Sequence, residues 1–451
     1  MKAGKHIHCI GIGGIGLSGL AQILHEQGHV VSGSDMNDSH LLQTMQKKGI
    51  TIYVGHDTAH IENSPDLVIV SSAIPETNPE LSYARKHDIE IMTFSEAIGE
   101  YTEDSYTIAV CGTHGKTTVT SMAALVMVAG KKDPTVVVGS QVKQLDNNNY
   151  RQGDGDIFLV EACEYKRNFL RYNPNIIILT NLEAEHLDYY KDLEDYKSAF
   201  KEFIEKLPKE GYLIANIDDP NVRDVIAGQK AKIITFSTHN ADADFTIADN
   251  TLYKGKKKQG TLHLSVPGDF NKMNALAAYI LGDILAINRE TVIKTLNGFT
   301  GSWRRFDIMG TYNGITIIND YAHHPTAIKS TLKATRQRYP GKKICCIFQP
   351  HQYNRTKQFL SEFASSFKEA DIVIIPNIYR VRDTKQDVTS ISVDDLIEAV
   401  QVQGIQTYHL ETYQEIKKYL KNNSDDIDIA LIMGAGDIWE LGEVLVADGN
   451  M

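Results

Sequence analysis

A glycine-rich segment in the first third of the chain carries residue types suited to binding a nucleotide phosphate. It lies between an apolar run and a helix-like segment and consists of Gly112, Thr113, His114, Gly115, Lys116, Thr117 and Thr118. In such a loop the backbone N–H groups wrap the phosphates, Lys116 reaches the outer ones, and the Thr117 hydroxyl can bind Mg²⁺. The segment is a shortened form of the P-loop, and it predicts that the protein binds ATP.

A second glycine motif stands at the start of the chain. Gly11, Gly13 and Gly16 form G-x-G-x-x-G after the strand-like run IHCI, and Asp35 closes the next strand-like run. Such glycines let the backbone approach a diphosphate, which the N-terminus of the following helix then stabilises. The motif predicts a bound diphosphate without specifying a nicotinamide cofactor.

Acidic side chains and a histidine follow two further strand-like runs. Glu161 ends IFLVE, and four polar residues follow IIILTN: Glu183, Glu185, His186 and Asp188. The carboxyl ends of parallel strands face the ligand crevice, and carboxylates are preferred ligands of Mg²⁺. Each residue alone is more typical of a solvated loop, but beside a P-loop they become candidate metal ligands.

The elements that must position these residues read as doubly wound α/β domains. Short Val- and Ile-rich runs alternate with helical patterns, which is typical of parallel sheets covered by helices. A chain of 451 residues is too long for one core and predicts two or three domains. The polar stretch Glu100–Tyr106 marks the first boundary, and the second falls near Gly298–Ser302.

Two segments of the chain carry local patterns. Ile315–Asp320 is expected to form a strand after a turn at Asn313-Gly314. The polar segment Gln141–Asp156 shows neither the helix nor the strand period, and we expect an exposed, partly disordered loop there.

Composition excludes several classes of protein. The net charge of −11 argues against general nucleic-acid binding, and no run approaches the roughly 20 apolar residues of a membrane helix. The N-terminus lacks the pattern of a signal peptide, so we expect a soluble cytoplasmic protein. The cysteines form no CxxC pair, and most are expected to be buried thiols in a reducing compartment. The five cysteines of the chain are Cys9, Cys111, Cys163, Cys345 and Cys346.

The motifs together resemble the Mur ligase family. The matching segments run in order along the chain: GIGGIGLSGLA, GTHGKTT, TNLEAEHLDYY, PGDFNKMNALAA, RRFD, DYAHHPT, FQPHQYNRT and MGAGDI. The resemblance implies an N-terminal UDP-sugar domain over residues 1–102, a central ATPase over 103–299 and an amino-acid domain over 300–451. It also implies ATP, Mg²⁺, L-alanine and UDP-N-acetylmuramate as reactants, with an acyl phosphate as the intermediate of amide formation.

The resemblance further implies roles for individual residues. It assigns catalytic roles to Lys116, His186, Arg305 and His323. Thr117 and Glu161 would hold one Mg²⁺ and His186 a second. In the ATP site, Asn271 and Asn274 would contact the adenine and Asp320 the ribose. The UDP-sugar would meet Gly14, Ile15, Gly16, Ser18, Ser71, Ser72 and Asn78, and the amino acid would meet Tyr321, His323 and Arg355.

Four positions depart from the family pattern or distinguish its branches. Ala327 and Gln352 stand where a Glu and an Arg are common, so the amino-acid pocket loses one possible cation. Phe270 replaces a His beside the adenine residues. Phe200 stands where ligases that add later residues carry a modified lysine, and this favours the alanine-adding branch.

Three other functions remain open from the sequence. A family branch that joins a murein peptide to the same sugar nucleotide would share nearly every motif. An NAD-dependent oxidoreductase would explain the first glycine motif but not GTHGKTT. A nucleotide-binding switch would leave DYAHHPT and FQPH unexplained.

Overall fold

A computed structural model gives the structure of the chain and describes residues 4–381 and 383–449. It contains three sheets of five, ten and six strands. The chain divides into two compact units: residues up to Leu264 with Lys272–Thr300, and Ser265–Asn271 with the residues from Gly301 onward. The first unit holds two of the sheets, so the domain bounds at residues 102 and 299 stay a prediction.

The first sheet is parallel throughout, in the order β3-β2-β1-β4-β5. Its strands are β1 His6–Ile10, β2 Val30–Asp35, β3 Thr51–Val54, β4 Leu67–Val70 and β5 Ile91–Thr93. Its helices are α1 Ile15–Glu26, α2 His40–Lys47, α3 Pro79–Lys86 and α4 Phe94–Glu103. All four residues of β4 are buried, as expected of a strand covered on both faces.

The second sheet has a parallel centre and antiparallel edges, in the order β15-β14-β13-β12-β11-β10-β6-β9-β7-β8. Its first strands are β6 Tyr106–Cys111, β7 Thr135–Val142, β8 Asn148–Arg151, β9 Ile157–Glu161 and β10 Ile176–Leu179. The others are β11 Tyr212–Asn216, β12 Lys232–Ser237, β13 Phe245–Ala248, β14 Thr251–Lys254 and β15 Lys257–Thr261. The helices of this segment are α5 Lys116–Ala129, α6 Leu193–Glu205, α7 Pro220–Ile226, α8 Asp269–Ile284 and α9 Arg289–Asn297.

The prediction of an exposed, partly disordered loop at residues 141–156 was wrong. The end of β7 and the whole of β8 lie in this segment and pair as an antiparallel hairpin. Asn149 and Tyr150 are buried, and the Asn149 amide donates to the Ser18 hydroxyl of α1 at 3.0 Å. The segment is polar because its side chains form hydrogen bonds to a helix, so hydrophobic periodicity could not reveal the strand.

The third sheet lies in the second unit, in the order β16-β17-β21-β18-β19-β20. Its strands are β16 Asp307–Tyr312, β17 Ile315–Asp320, β18 Ile344–Phe348, β19 Ile372–Ile375, β20 Gln406–His409 and β21 Ile429–Met433. Its helices are α10 Pro325–Arg338, α11 Tyr353–Gln358, α12 Leu360–Ser366, α13 Lys385–Val388, α14 Val393–Val402, α15 Tyr413–Asn422 and α16 Trp439–Gly449. The predicted strand Ile315–Asp320 is confirmed, and the preceding Asn313 and Gly314 have φ of 45° and 83°, as a tight hairpin turn requires.

The expected burial of most cysteines is confirmed. All five are free thiols; Cys9, Cys111, Cys345 and Cys346 are buried, and Cys163 is exposed. Among the helices in the described part of the chain, none has the length and apolar character needed to cross a bilayer.

Candidate active site

The predicted P-loop lies between β6 and α5 and is built on two glycines with positive φ. Gly112 has φ of 127° and Gly115 has φ of 85°. A Cβ on Gly112 would stand 2.2 Å from the Thr180 hydroxyl, and one on Gly115 would stand 2.6 Å from the Asn274 side-chain oxygen. Both positions therefore require glycine, and the second contact places Asn274 of α8 directly against the loop.

Lys116 is the first residue of α5, and its ammonium is held inside the loop. Its Nζ donates to the carbonyls of Gly112 at 2.5 Å and Thr113 at 3.2 Å, and to Glu164 Oε1 at 2.9 Å. Burial alone would lower the pKa of Lys116, but the charges of Glu164 and Glu185 outweigh it and raise the pKa. The side chain therefore keeps its positive charge at the position where a P-loop holds phosphates.

The other loop residues are fixed by the segment after β10. The His114 N–H donates to Asn181 Oδ1 at 2.8 Å, and the His114 ring contacts Glu183 Oε2 at 3.0 Å. The Thr113 hydroxyl lies 3.1 Å from the Tyr196 hydroxyl. Thr118 is half-buried in the first turn of α5. These contacts fix the shape of the loop.

Two groups of side chains fit divalent cations. The Thr117 hydroxyl donates to Glu161 Oε1 at 3.0 Å, which puts two oxygen ligands together at the N-terminus of α5. In the second group, one ligand atom each of Glu164, Glu185 and His186 lie within 4.8 Å of one another. Hydroxyl and carboxylate oxygens are the ligands that Mg²⁺ prefers, so the Thr117–Glu161 pair and the two glutamates of the second group fit the predicted ions. His186 would add a nitrogen ligand to the second group.

Glu164 is a site residue that sequence reasoning missed. Its side chain is 1% exposed, and its Oε2 has no hydrogen-bond partner among the described residues. His186 Nε2 lies 3.8 Å from its Oε1. The available signal was a second glutamate three positions beyond the end of the strand at Glu161. By contrast, the Asp188 carboxylate is exposed and accepts a hydrogen bond from the Tyr165 hydroxyl at 3.1 Å.

The first glycine motif forms the predicted turn between β1 and α1. The Gly13 N–H donates to Asp35 Oδ2 at 2.9 Å, and a Cβ on Gly13 would come within 2.8 Å of the same oxygen. A Cβ on Gly16 would stand 2.9 Å from the Phe94 ring. Gly14 is exposed and precedes Ile15, and no described side chain caps the N-terminus of α1. The helix therefore offers its first N–H groups at the turn.

The remaining predicted UDP-sugar residues occupy different environments. Ser71 packs against the turn, since a Cβ on Gly11 would lie 2.9 Å from its Cβ, and Ser72 is exposed. Ser18 is fully buried and donates to the Ile15 carbonyl at 3.0 Å. Asn78 caps α3 by accepting from the Leu81 N–H at 3.0 Å. Ser18 and Asn78 thus make structural hydrogen bonds, and their ligand roles stay predictions.

In the second unit, two adjacent arginines lie over one tyrosine ring. The guanidinium carbons of Arg304 and Arg305 are each 4.8 Å from the centre of the Tyr321 ring. Arg304 is buried, which lowers its pKa to about 10, and it donates to the Gly434 and Gly436 carbonyls. Arg304 is therefore structural, whereas Arg305 remains the candidate for contact with phosphate.

Asp320 and the asparagines of α8 also make bonds within the protein. Burial raises the pKa of Asp320, whose oxygens accept from the Phe306 and Ala322 N–H groups at 2.8 Å each. The Asn271 amide donates to the Pro267 carbonyl at 2.6 Å. The contacts of Asp320 with the ribose and of the asparagines with the adenine stay predictions.

The predicted amino-acid residues lie together in the second unit. His323 Nδ1 is 3.0 Å from the Tyr321 carbonyl, and the His323 and His351 rings are 6.1 Å apart. Arg355 Nη1 is 3.2 Å from His351 Nδ1. Gln352, which replaces the family arginine, has φ of 71° and donates to the Val381 carbonyl at 3.2 Å. His351 was present in the FQPH motif but was not singled out.

Phe200 lies in the aromatic core of the first unit. It is fully buried, and its ring packs edge-on against Phe169 with centroids 5.1 Å apart and at a tilt against Tyr196 with centroids 5.0 Å apart. A charged or modified lysine would not fit this apolar surrounding.

Comparison with known proteins gives matches along nearly the whole chain. Family models described as the Mur ligase family catalytic domain, the Mur ligase middle domain and the Mur ligase glutamate ligase domain match residues 6–106, 110–282 and 304–436. The UDP-N-acetylmuramate–L-alanine ligase of Clostridium acetobutylicum is 42% identical over 98% of each chain. The enzyme of the same name from Clostridium tetani is 41% identical over 99% of each chain.

Two solved structures extend these matches to the fold. The UDP-N-acetylmuramate-alanine ligase of Thermotoga maritima superimposes with a TM-score of 0.82 at 28% identity and covers 98% of each chain. A murein peptide ligase of Psychrobacter arcticus gives a TM-score of 0.76 at 25% identity and covers 99% of each chain. The three family matches and the full-length identity show that the chain belongs to the Mur ligase family.

Proposed function

We propose that the protein joins L-alanine to the carboxylate of UDP-N-acetylmuramate with ATP, through an acyl phosphate, in peptidoglycan biosynthesis. The observation that carries the proposal is the charged Lys116 inside a formed phosphate loop beside the Thr117–Glu161 pair. The full-length relatives from Clostridium bear the name of this activity, and the Thermotoga structure shares the fold.

The residues suit the chemistry of amide formation. An amine does not displace oxygen from a carboxylate, so the sugar carboxylate first takes the γ-phosphoryl group of ATP and ADP leaves. The amine of alanine then attacks the acyl carbon, loses a proton, and releases phosphate. Lys116 neutralises charge on the outer phosphates in the first step, and Arg305, whose guanidinium lies over the Tyr321 ring, is proposed for the same role.

The proposed Mg²⁺ ligands are Thr117 and Glu161 for one ion and His186 for another, with Glu164 and Glu185 as added candidates. When bound, Mg²⁺ supplies positive charge to the phosphate oxygens. The Glu161 carboxylate is held in place by two hydrogen bonds, because it accepts from the Thr117 hydroxyl and from the Gly139 N–H at 2.8 Å.

The two remaining substrates are assigned to separate places. We place the UDP diphosphate on the turn from Gly11 to Gly16 and the N-terminus of α1, with Asp35 behind it. We place L-alanine near Tyr321, His323 and Arg355, where a guanidinium is a natural partner for the amino-acid carboxylate. Asn271, Asn274 and Asp320 are proposed for the nucleoside of ATP.

Glu161→Ala and His186→Ala are each expected to raise the Mg²⁺ concentration needed for half-maximal activity, because each removes an ion ligand. A Mg²⁺ titration of phosphate release measures the effect. Glu194→Ala, which removes an exposed carboxylate from α6, serves as the control. If the Mg²⁺ titration curve of either variant overlays that of the wild type, the substituted residue is not an ion ligand and its role is structural.

The amino-acid substrate is tested by phosphate release from ATP with UDP-N-acetylmuramate and one acceptor at a time. L-Alanine is expected to support the fastest release, ahead of glycine, L-serine and the murein tripeptide. Faster release with the tripeptide would instead assign the recycling reaction of the murein peptide ligases. Release without either co-substrate would favour a nucleotide switch, and NADH-dependent absorbance changes would favour an oxidoreductase.

A further inference from the structure

Glu80 of α3 is a fully buried carboxylate that none of the roles above uses. Three histidines and one serine surround it, and we call Glu80, His8, Ser34, His56 and His60 the Glu80 cluster. Oε1 lies 2.7 Å from His60 Nδ1. Oε2 accepts from the Ser34 hydroxyl at 2.5 Å and lies 3.4 Å from His56 Nδ1 and 3.6 Å from His8 Nε2.

The cluster joins two strands of the first sheet, the connection after β3 and helix α3. His8 lies in β1 and Ser34 in β2, while His56 and His60 belong to the connection after β3. The Asp57 N–H donates to Glu80 Oε1 at 3.2 Å. The His60 ring stacks on Tyr53 of β3, with centroids 4.2 Å apart and planes within 9°. One carboxylate therefore fixes the relative positions of β1, β2, α3 and this connection.

The same segments border the glycine turn. The Ser34 carbonyl accepts the N–H groups of Gly11 at 2.8 Å and Ile12 at 3.1 Å. The next residue, Asp35, accepts the Gly13 N–H. Ser34 thus bonds the turn through its backbone and Glu80 through its side chain.

A buried charge at position 80 lowers the stability of the fold unless its hydrogen bonds hold the surrounding segments in place. Taking a carboxylate out of water costs several kcal/mol, and an apolar side chain would fill the same space without that cost. Burial alone would raise the pKa of Glu80, but its interactions with the His8 ring, the Ser34 hydroxyl and the His60 ring outweigh burial and hold the pKa at about 2. The carboxylate is therefore ionised and fully engaged at neutral pH.

We propose that Glu80 is a positioning residue for the UDP-sugar diphosphate. Through Ser34 it holds the end of β2 against the turn, and through α3 it holds the segment that begins at Asn78. The inference rests on the proposed function, in which the turn from Gly11 to Gly16 receives that diphosphate.

The test compares Glu80→Gln with wild type and with Glu90→Gln, an exposed carboxylate that pairs with Lys5. Calorimetric titration with UDP-N-acetylmuramate alone gives the Kd, and steady-state kinetics give the three KM values. Glu80→Gln is expected to raise the Kd and KM for UDP-N-acetylmuramate by about tenfold or more, the loss of a charge-assisted network, with the KM for ATP unchanged. Glu90→Gln is expected to match wild type.

The Kd and the melting temperature together distinguish a positioning role of Glu80 from a role in stability alone. A lowered melting temperature with an unchanged Kd, measured where both proteins are folded, would overturn the inference. If Glu80→Gln does not fold, Ser34→Ala decides, because it removes the hydroxyl that joins β2 to Glu80 and to His56 Nδ1 and keeps the backbone bonds to the turn. A raised Kd supports the inference and a wild-type Kd overturns it. Wild-type protein that fails to bind UDP-N-acetylmuramate would refute the proposed function itself.

Discussion

Lys116→Ala is expected to abolish phosphate release while the protein stays folded, with a loss on the order of a thousandfold or more. The substitution removes the ammonium that the loop holds through the Gly112 and Thr113 carbonyls and Glu164. Phosphate release with all three substrates measures the activity, and circular dichroism measures the fold.

Two further variants make the Lys116 result specific. Lys201→Ala removes a half-exposed lysine that pairs with Asp224 and is expected to leave turnover unchanged. Lys116→Arg keeps the charge but not the point geometry of the ammonium, so it is expected to recover little activity. Near-normal turnover by folded Lys116→Ala would contradict the assignment of the P-loop.

Arg355→Ala is expected to raise the KM for L-alanine far more than the KM for ATP or UDP-N-acetylmuramate. The guanidinium is partly buried beside His351, and losing its pair with a carboxylate costs on the order of 2 kcal/mol, or about thirtyfold in KM. Because the acyl phosphate forms before the amine attacks, the variant is expected to retain phosphorylation of the sugar carboxylate. Steady-state kinetics with each substrate varied in turn separate the three KM values.

Gln352→Arg provides the complementary variant. It restores the cation common in the family. The Gln352 side chain donates to the Val381 carbonyl, and an arginine that points toward the alanine carboxylate instead is expected to lower the KM for L-alanine. Equal changes in all three KM values, for either variant, would show that the amino-acid pocket lies elsewhere.

The features predicted well from sequence are those that neighbouring residues determine. The strand, the positive-φ glycines and the helix start of the P-loop follow one another along the chain, so a local pattern indicates the structure. The hairpin turn at Asn313-Gly314 is local in the same sense. The RRFD motif indicated a role for Arg305, but only the structure shows that the neighbouring Arg304 is buried and donates to the Gly434 and Gly436 carbonyls.

What the sequence did not reveal depends on contacts between distant segments. Glu164 is a candidate site residue because Lys116 and His186 approach it from two other strand ends. The Glu80 cluster gathers side chains from β1, β2, α3 and the connection after β3. No period or spacing rule connects such residues, because the sheet order and not the chain order brings them together.

The hairpin β7–β8 also bears on how the chain folds as it is synthesised. Ser18 and Asn149, which are hydrogen-bonded, are 131 positions apart in the chain. A Cβ on Gly19 would lie 3.3 Å from Asn149 and 3.4 Å from Tyr150, so the glycine allows β8 to approach α1 closely. The strands of the first sheet are all translated by Thr93, yet this side of α1 stays open to water until β8 follows. A fragment that stops at residue 102 would keep the whole parallel sheet and still expose Ser18, Gly19 and Gln22, which makes it a poor unit for separate expression.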